Sequence, residues 1–324
     1  MPTASILITA FNRKEYLMKC VESALNQTFD RKKYEVIVSK NFKDEEIDKF
    51  LNDHGCINIY DTVEGIGIRL VGLIKRAKSN ILLFLEDDDI FSENKVEQVV
   101  KLFANANLSY INNSYLTIDK DGNLIKLKPK RNRTITVIDC DKFSRELVAL
   151  YKSKEYFGMS NISLRKQCIK PYLNVLKDVV VSPDLFFFIL LGLISGEFLF
   201  LRDELTFYRT HNSLSNIGGD LHQFTNRRVF FWSQASKDLR LYKQLFKNKK
   251  QQETMYLINM ISFEAKIHIV LSSHQQRIYL VDVIQSLKFF TKEKSLFYMN
   301  LFILVTLAYF CPKIAKKLYY YLLK

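Results

Sequence analysis

Four consecutive acidic residues, Glu86 to Asp89, follow the apolar run "ILLFL", which is typical of a buried strand. Adjacent carboxylates repel one another, so their clustering at a strand end needs a compensating positive charge. A divalent cation is the simplest compensation, because hard cations bind carboxylate oxygens together with the phosphate oxygens of a substrate. An acidic helix N-terminus, favoured by the helix dipole, accounts for Asp89 but not for four carboxylates. The stretch therefore indicates a divalent-cation site at the end of a strand.

The sequence around this stretch alternates apolar strands with amphipathic helices. This alternation predicts a parallel α/β sheet over the first hundred residues. Strands are predicted at 5–10, 34–39, 56–61 and 80–87, and helices at 13–27, 44–54, 67–79 and 92–106. Ligands bind such sheets at the carboxyl ends of the strands. Those ends read "TAFNR", "SKNF" and "EDDD", so we expect these three segments to meet.

The alternation of strands and helices ends after residue 106. "KDGN" joins two alternating runs and predicts a hairpin. A helix at 141–153, a strand near 159–165, an apolar helix at 183–195 and a short strand at 197–201 are predicted next. From about residue 220 the pattern is helical throughout.

Composition excludes several classes of protein. The chain has 324 residues and is 48% hydrophobic, with few glycines and prolines, so it is not a disordered chain. The five cysteines are far apart and form no CxxC pair, which indicates a reducing, cytoplasmic setting. The first apolar run is short and no basic leader precedes it, so we expect no signal peptide.

The formal charge of +14 is concentrated at the end of the chain, because residues 237–324 carry 15 Lys and Arg against 5 Asp and Glu. The stretch 295–310 has 16 residues without a charge, fewer than the roughly 20 that span a bilayer. Lysines flank it, and Tyr298, Tyr309, Tyr319 and Tyr320 suit a membrane boundary. The pattern predicts peripheral docking on the inner face of the cell membrane rather than a crossing. A homodimer interface or a soluble helical cap is the alternative, and the interleaved apolar residues argue against nucleic acid.

Four motifs occur in the order "ASILITAFNR", "GIRLVGLIKRAKSNILLFLEDDDIF", "SPDLFFFILLGLISG" and "ELTFYRTHNSLS". In this order they resemble family 2 glycosyltransferases of the GT-A fold. The resemblance implies a Rossmann-like, mostly parallel central sheet with helices on both faces. It implies a GT-A domain at 1–216, with a nucleotide-binding half at 1–105 and an acceptor-side half at 106–216, followed by a basic helical region at 217–324. The implied activity is inverting transfer of a sugar from a nucleotide-diphosphate sugar, assisted by Mn2+ or Mg2+.

The resemblance also nominates donor-binding residues. The loop after the first strand would hold base and ribose through Thr9, Phe11, Asn12 and Arg13. Asn12 as a helix cap is the alternative. The second strand ends in "SKN" where the family has aspartates, which leaves Asn41 for the base edge and Lys40 for a phosphate.

Further positions follow from the same motifs. Arg69 would face the nucleotide, against the alternative of a solvated helix-end arginine. In the acidic stretch the resemblance makes Asp88 the metal ligand, with Asp87 near the ribose and Glu86 in support.

The acceptor side is nominated in the same way. Inversion needs a base opposite the leaving group. Asp184 matches the family base, and Asp178 is the second candidate. The alternative for Asp184 is a purely structural role, as a favourable negative charge at a helix N-terminus. Arg209 and His211 would lie in a loop that closes over the pyrophosphate, with His211 able to complete the metal shell.

Two other interpretations are compatible with the sequence. One is a non-catalytic nucleotide-sugar-binding protein of the GT-A fold, and the other is a nucleotidyltransferase, which would want a glycine-rich phosphate loop that "TAFNRKEY" lacks. For the enzyme, the expected acceptor is a growing glycan or a polyprenyl-phosphate-linked carrier in cell-surface polysaccharide or glycoprotein glycan synthesis.

Overall fold

The computed structural model describes residues 1–125, 135–137, 140–210, 221–247, 251–273 and 277–323. It divides into two compact units, Met1–His211 with Asn248–Thr254, and Asn212–Lys247 with Met255–Lys324. The first unit contains the sheet and its helices. The second is helical.

The strands of the first unit form one mixed sheet in the order β3-β2-β1-β4-β8-β6-β9-β5, with β7 paired to β9. Strands β1 to β9 span Ala4–Ala10, Tyr34–Lys40, Ile57–Tyr60, Ile81–Glu86, Ile90–Phe91, Leu108–Ile118, Ile135–Val137, Ile162–Arg165 and Glu197–Arg209. Helices α1 to α8 span Leu17–Leu25, Glu45–Asp53, Ile66–Arg76, Lys95–Leu102, Cys140–Lys152, Lys166–Ile169, Leu173–Leu176 and Pro183–Leu190.

Strands β1 to β4 are mutually parallel, as predicted, because each is joined to the next through a crossover helix. The residues of β1, β2 and β4 are mostly apolar and buried, which is what a parallel strand between two layers of helices requires, whereas those of the edge strand β3 are partly exposed. One face packs on α1 and α2 through Leu17, Val21 and Leu51. On the other face, the rings of Phe84 in β4 and Phe187 in α8 lie 5.1 Å apart.

The remaining strands extend the sheet beyond β4 with mixed direction. β8 is antiparallel to β4 and β6, whereas β6 and β9 run parallel. The predicted hairpin at "KDGN" is confirmed at its turn, since the amide of Gly122 donates to Asp119 O at 3.1 Å and Ile118 pairs with Leu124. β9 is longer than the predicted strand at 197–201 because it continues through Arg209 along β6.

The second unit consists of helices, as predicted. Helices α9 to α13 span Leu221–Phe246, Gln252–Ser272, Leu280–Glu293, Leu296–Phe310 and Pro312–Leu323. Its interior contains polar contacts, including Tyr298 Oη to Glu264 at 2.6 Å. Over the described ranges, no helix combines the length and apolar content needed to cross a membrane.

Candidate active site

The carboxyl ends of β1, β2 and β4 meet at one edge of the sheet, which confirms the predicted meeting of the three segments. Thr9 of β1 is in register with Ser39 of β2 and with Glu86 of β4. These three residues therefore form a polar row across adjacent strands, ahead of the loops that carry the other candidate residues.

An amide pair joins the loops after β1 and β2. The Asn12 amide nitrogen donates to Asn41 Oδ1 at 2.8 Å, and Asn41 Nδ2 donates to Asn12 Oδ1 at 2.7 Å. Asn12 has a φ of 55°, a left-handed conformation that asparagine adopts more readily than most residues. The alternative that Asn12 caps the following helix is wrong, because α1 begins at Leu17 with Tyr16 in the cap position.

Arg13, the next residue, points to the acidic stretch. Its guanidinium forks onto the Asp87 carboxylate through Nε at 3.4 Å and through Nη2, which also lies 2.9 Å from Asp88 Oδ2. The Asp87 side chain is only 6% exposed. Burial raises the pKa of Asp87 to about 6, although the Arg13 hydrogen bond opposes this. Arg13 thus compensates part of the clustered negative charge.

Arg69 lies at the same edge, on helix α3. It is 5% exposed, and its guanidinium carbon lies 4.0 Å from the centre of the Phe11 ring. Nε donates to Gly65 O at 3.3 Å, while Nη1 is buried and has no hydrogen-bond partner within the described part of the chain. Burial lowers the pKa of Arg69, and the charges of Asp61 and Asp87 oppose this. A solvated helix-end arginine is therefore the wrong description of Arg69.

Lys40 differs from its expected role. It is 1% exposed, and its Nζ donates to Phe42 O at 2.6 Å and lies 2.8 Å from Asp48 Oδ1. The prediction that Lys40 meets a phosphate is wrong in this structure, because the ammonium is turned towards helix α2. Its charge holds the β2 loop to that helix instead.

Arg209 holds the acidic stretch from the side of β9. Its side chain is buried and donates to the backbone carbonyls of Asp88 at 2.8 Å, Asp119 at 3.1 Å and Lys120 at 3.0 Å. Its amide donates to Asp89 Oδ1 at 3.0 Å. Arg209 is the last residue of β9 rather than part of a loop, and these partners differ from the pyrophosphate that the resemblance implies. His211 lies outside the described residues.

The turn Gly158–Ser160 joins the acidic stretch to Asp184. Ser160 Oγ accepts from the Glu86 amide at 3.0 Å and donates to the Asp89 carboxylate. Two residues earlier, the Gly158 amide donates to Asp184 Oδ2 at 3.2 Å. Gly158 has a φ of 87°, which is a conformation that glycine adopts without strain. One short turn therefore fixes both the strand-end carboxylates and the candidate base.

Lys95 holds this turn through hydrogen bonds of its ammonium group. It is fully buried, and its Nζ donates to Ser160 O at 2.5 Å and to Thr206 Oγ1 at 3.0 Å. Burial lowers its pKa, and the charge of Asp89 opposes this. Burial and the neighbouring charge of Asp88 raise the pKa of Asp89 to about 7.

Asp184 lies in the first turn of α8, behind Pro183. Burial raises the pKa of Glu86 well above its usual range. The negative charges of Asp88, Asp89 and Asp184 raise it further. The hydrogen bonds of the Gly158–Ser160 turn place Asp184 beside the acidic stretch. The fallback residue Asp178 is exposed on the segment before α8.

Comparison with known proteins agrees with this geometry. Residues 5–165 match the sequence profile described as Glycosyl transferase family 2. The chain belongs to glycosyltransferase family 2. An uncharacterized glycosyltransferase of Rickettsia bellii is 30% identical over 127 residues, which are 38% of this chain and 18% of that protein. The chondroitin synthase of Escherichia coli is 28% identical over 131 residues, which are 39% of this chain and 19% of that protein.

A solved structure is similar to this chain over most of its length. TarS 1-349 of S. aureus, solved in complex with UDP-GlcNAc, superposes with a TM-score of 0.52 at 12% identity, covering 84% of this chain and 81% of that one. At this identity the likeness supports the GT-A fold alone. The matched segments are about a fifth of the length of the two curated relatives, at 18% and 19%.

The fit of a divalent cation to this site depends on Asp88. Over the ranges that the structure describes, no group of three or more His, Cys, Asp and Glu side chains has the geometry to hold a metal ion. Mg2+ and Mn2+ need only one or two carboxylates when substrate phosphates and water supply the other ligands. The Asp88 side chain is 15% exposed and already binds a cationic group, Arg13 Nη2. Its hard oxygen donors therefore fit a cation that a diphosphate shares.

Three residues of the site were not predicted from the sequence. Lys95 had a signal, because it lies four residues before Val99 on the buried face of α4, where a lysine needs an internal partner. Gly158 and Ser160 had none. They belong to the segment "FGMSN", whose spacing resembles no motif, and only the sheet brings them to the acidic stretch.

Proposed function

We propose that the protein is a metal-dependent, inverting glycosyltransferase that moves a sugar from a nucleotide-diphosphate sugar to an acceptor hydroxyl or phosphate. The observation that carries this proposal is the joining of Asp184 to Glu86 and Asp89 by a single turn, at the edge where Arg13 and Arg69 bring positive charge. Cationic groups beside buried carboxylates suit a diphosphate that arrives with a cation.

Each residue would have one task. Phe11, Asn41 and Arg69 would contact the base, with Thr9 and Asn12 shaping the pocket around the ribose. Asp88 would hold Mn2+ or Mg2+, which supplies charge neutralisation for the leaving diphosphate. Asp87 would lie near the ribose, beside Arg13, and Glu86 would support the loop. The contacts of Arg209 favour a role in holding the Asp88 backbone, and His211 keeps its predicted role near the metal and phosphate.

The transfer step follows from the position of Asp184. A carboxylate oxygen of Asp184 would take the acceptor proton as the acceptor oxygen forms its bond to the anomeric carbon. The bond from that carbon to the diphosphate oxygen breaks at the same time, and the nucleoside diphosphate leaves with the electron pair. Attack from the opposite face inverts the anomeric configuration.

The test of this function is product analysis with a panel of nucleotide-diphosphate sugars, Mn2+ or Mg2+, and either glycan or membrane-lipid acceptors. We expect one sugar transferred for each nucleoside diphosphate released. A protein that binds a nucleotide sugar tightly but forms no product with any acceptor would instead be the non-catalytic binding protein. Formation of a nucleotide sugar from a nucleoside triphosphate would indicate the nucleotidyltransferase.

We further propose that the helical unit docks on an anionic membrane surface and so brings the enzyme to a polyprenyl-phosphate-linked or growing glycan acceptor on the inner face of the cell membrane. Exposed apolar side chains recur along one face of α12, at Leu296, Ile303 and Phe310, which are 69%, 52% and 72% exposed. Further exposed apolar residues are Leu280, Val281, Ile284 and Leu287 in α11 and Ile314, Leu318 and Tyr321 in α13. The exposed lysines of these helices and their connections are Lys288, Lys292, Lys294, Lys313 and Lys317. Apolar side chains bordered by lysines are typical of interfacial helices.

The tyrosines refine this proposal. Tyr298 and Tyr319 were predicted at a membrane boundary, but both are buried, and Tyr319 Oη accepts from Arg228 Nε at 3.0 Å. That prediction is wrong for these two residues because they pack inside the unit. Tyr309 remains 38% exposed.

Flotation with liposomes tests the docking. The triple variant Leu296→Gln, Ile303→Gln, Phe310→Gln should lose binding to anionic liposomes, whereas Asn300→Gln on the same exposed face should retain it. Absence of wild-type binding at low salt would contradict docking. A dimer that persists in wild type and dissociates in the triple variant would support the interface alternative.

A further inference from the structure

Arg13 binds the same carboxylates that the proposed function assigns to a divalent cation. Its Nη2 contacts both Asp87 and Asp88, at 2.9 Å for Asp88, and its side chain remains 29% exposed. We propose that Arg13 is a tethered counter-ion that occupies the cation position of the free enzyme and releases Asp88 when cation and diphosphate arrive together. This inference rests on the proposed function, because it needs Asp88 to be the metal ligand.

The chain holds Arg13 in this place through its neighbours. The Asn12–Asn41 pair holds the left-handed turn directly before Arg13, and the guanidinium reaches the two aspartates that follow β4. Asp87, whose side chain is 6% exposed, accepts from Arg13 Nε as well as from Nη2. Arg13 can therefore leave the more exposed Asp88 while retaining Asp87.

The consequence is a coupling between metal and diphosphate. A guanidinium and a divalent cation repel each other and compete for the same Asp88 oxygens, so the metal alone binds weakly. A diphosphate gives the guanidinium a second acceptor of matching geometry and gives the metal its remaining ligands. Each ligand therefore raises the affinity of the other.

The experiment measures Mn2+ binding to the full chain by electron paramagnetic resonance, without any nucleotide. We expect Arg13→Gln to bind Mn2+ about tenfold more tightly than wild type, in line with the loss of a charge-assisted hydrogen bond. Arg13→Lys, which keeps the charge but not the fork, should be intermediate. Lys14→Gln is the matched control, because it removes the same charge one residue later from a side chain that pairs with Asp44 at 2.8 Å.

Calorimetry completes the test with the preformed Mn2+–pyrophosphate complex as titrant. Wild type should bind this complex more tightly than Arg13→Gln does, which reverses the order seen with Mn2+ alone. Asp88→Asn should abolish Mn2+ binding. If it does, and Arg13→Gln binds Mn2+ no more tightly than wild type, the counter-ion role is overturned and the proposed function is left intact. Mn2+ binding that Asp88→Asn does not affect would contradict the proposed metal site itself.

Discussion

Among single residues, the aspartates of the acidic stretch differ in how deeply their carboxylates are buried. Asp89 is fully buried and bonded to the Arg209 amide, and Asp87 is held by Arg13, which leaves Asp88 with the more accessible carboxylate of these three. A cation that must also bind substrate phosphates needs an accessible ligand. Asp88 is therefore the residue whose loss should most weaken binding of the proposed cation.

Asp88→Asn removes this charge with little change in volume. We expect metal-dependent donor turnover to fall by about 10²-fold or more, because the leaving diphosphate loses its charge neutralisation. Circular dichroism should show a retained fold. The exposed acid Glu64 provides the control, Glu64→Gln, which should turn over normally. Full wild-type activity in excess chelator would contradict metal dependence.

Asp184→Asn tests the base. The variant should bind the nucleotide sugar as wild type does and lose transfer by roughly 10²-fold, which is typical of a general base. Calorimetry for donor affinity and single-turnover assays separate the two effects. The matched control is Asp178→Asn, and a loss of transfer in this variant instead would move the base to Asp178.

The residue types of the site could be read from the sequence, but their partners could not. "EDDD" after an apolar run indicated a site, and the motifs indicated Arg13, Arg69 and Asp184. The pairing of Arg13 with Asp87 and the turn of Lys40 towards Asp48 depend on how loops leave adjacent strands. Ser160 reaches Glu86 only because β8 pairs with β4, a contact between residues 74 positions apart.

At the scale of elements, α3 must approach the segment of α7 closely to place Arg69 at the edge. A Cβ at Gly67 would lie 2.0 Å from Leu176 O and 2.7 Å from Val179 O, both backbone atoms that cannot rotate away. The helix is therefore able to pack here only because residue 67 has no side chain.

Gly67→Ala should destabilise the protein by about 2 kcal/mol or more, in line with overpacking of a buried contact. Gly72→Ala in the same helix meets no atom within 4 Å and should stabilise it by about 0.5–1 kcal/mol through helix propensity. Chemical denaturation measures both. Equal effects of the two substitutions would show that the close approach of α3 is wrong.

Element types followed from periodicity, while element lengths depended on pairing. The apolar runs predicted β1, β2 and β4 within two residues at either end. β9 extends to Arg209 because β6 offers a partner along most of its length, which the sequence "LRDELTFYR" alone does not reveal. Helix α1 begins at Leu17 rather than at Arg13, and the chain enters it through a left-handed residue, Asn12, which periodicity does not reveal.

At the scale of the whole molecule, the helical unit contains a buried histidine that links its stability to pH. His268 stacks on Trp232 at 4.5 Å, and its Nδ1 contacts Tyr319 Oη at 2.5 Å and Arg228 Nη2 at 3.1 Å. Burial, together with the charge of Arg228, lowers the pKa of His268 to about 3. The folded protein therefore keeps His268 neutral at pH values where the unfolded chain protonates it.

The sign of the effect follows from proton binding. Between pH 6.5 and pH 3 the unfolded chain binds more protons at His268, so its stabilising contribution is present above pH 6.5 and is lost as the pH falls. The loss attributable to His268 should be about 2 kcal/mol between pH 6.5 and pH 5. His268→Gln should remove that part of the acid sensitivity, and the exposed-residue control His54→Gln should not. Parallel stability curves for wild type and His268→Gln over this range would contradict the burial of a neutral imidazole.

The proposed reaction is inverting transfer of a sugar that needs both the strand-end carboxylates and Asp184. Its most direct test is nuclear magnetic resonance of the product formed by the full chain from a nucleotide-diphosphate sugar of known anomeric configuration, with wild type, Asp88→Asn and Asp184→Asn in parallel. We predict a wild-type product of opposite configuration to the donor, released with one nucleoside diphosphate per sugar, and little product from either variant. A product that retains the donor configuration, or equal product from Asp184→Asn, would contradict inverting transfer with Asp184 as the base.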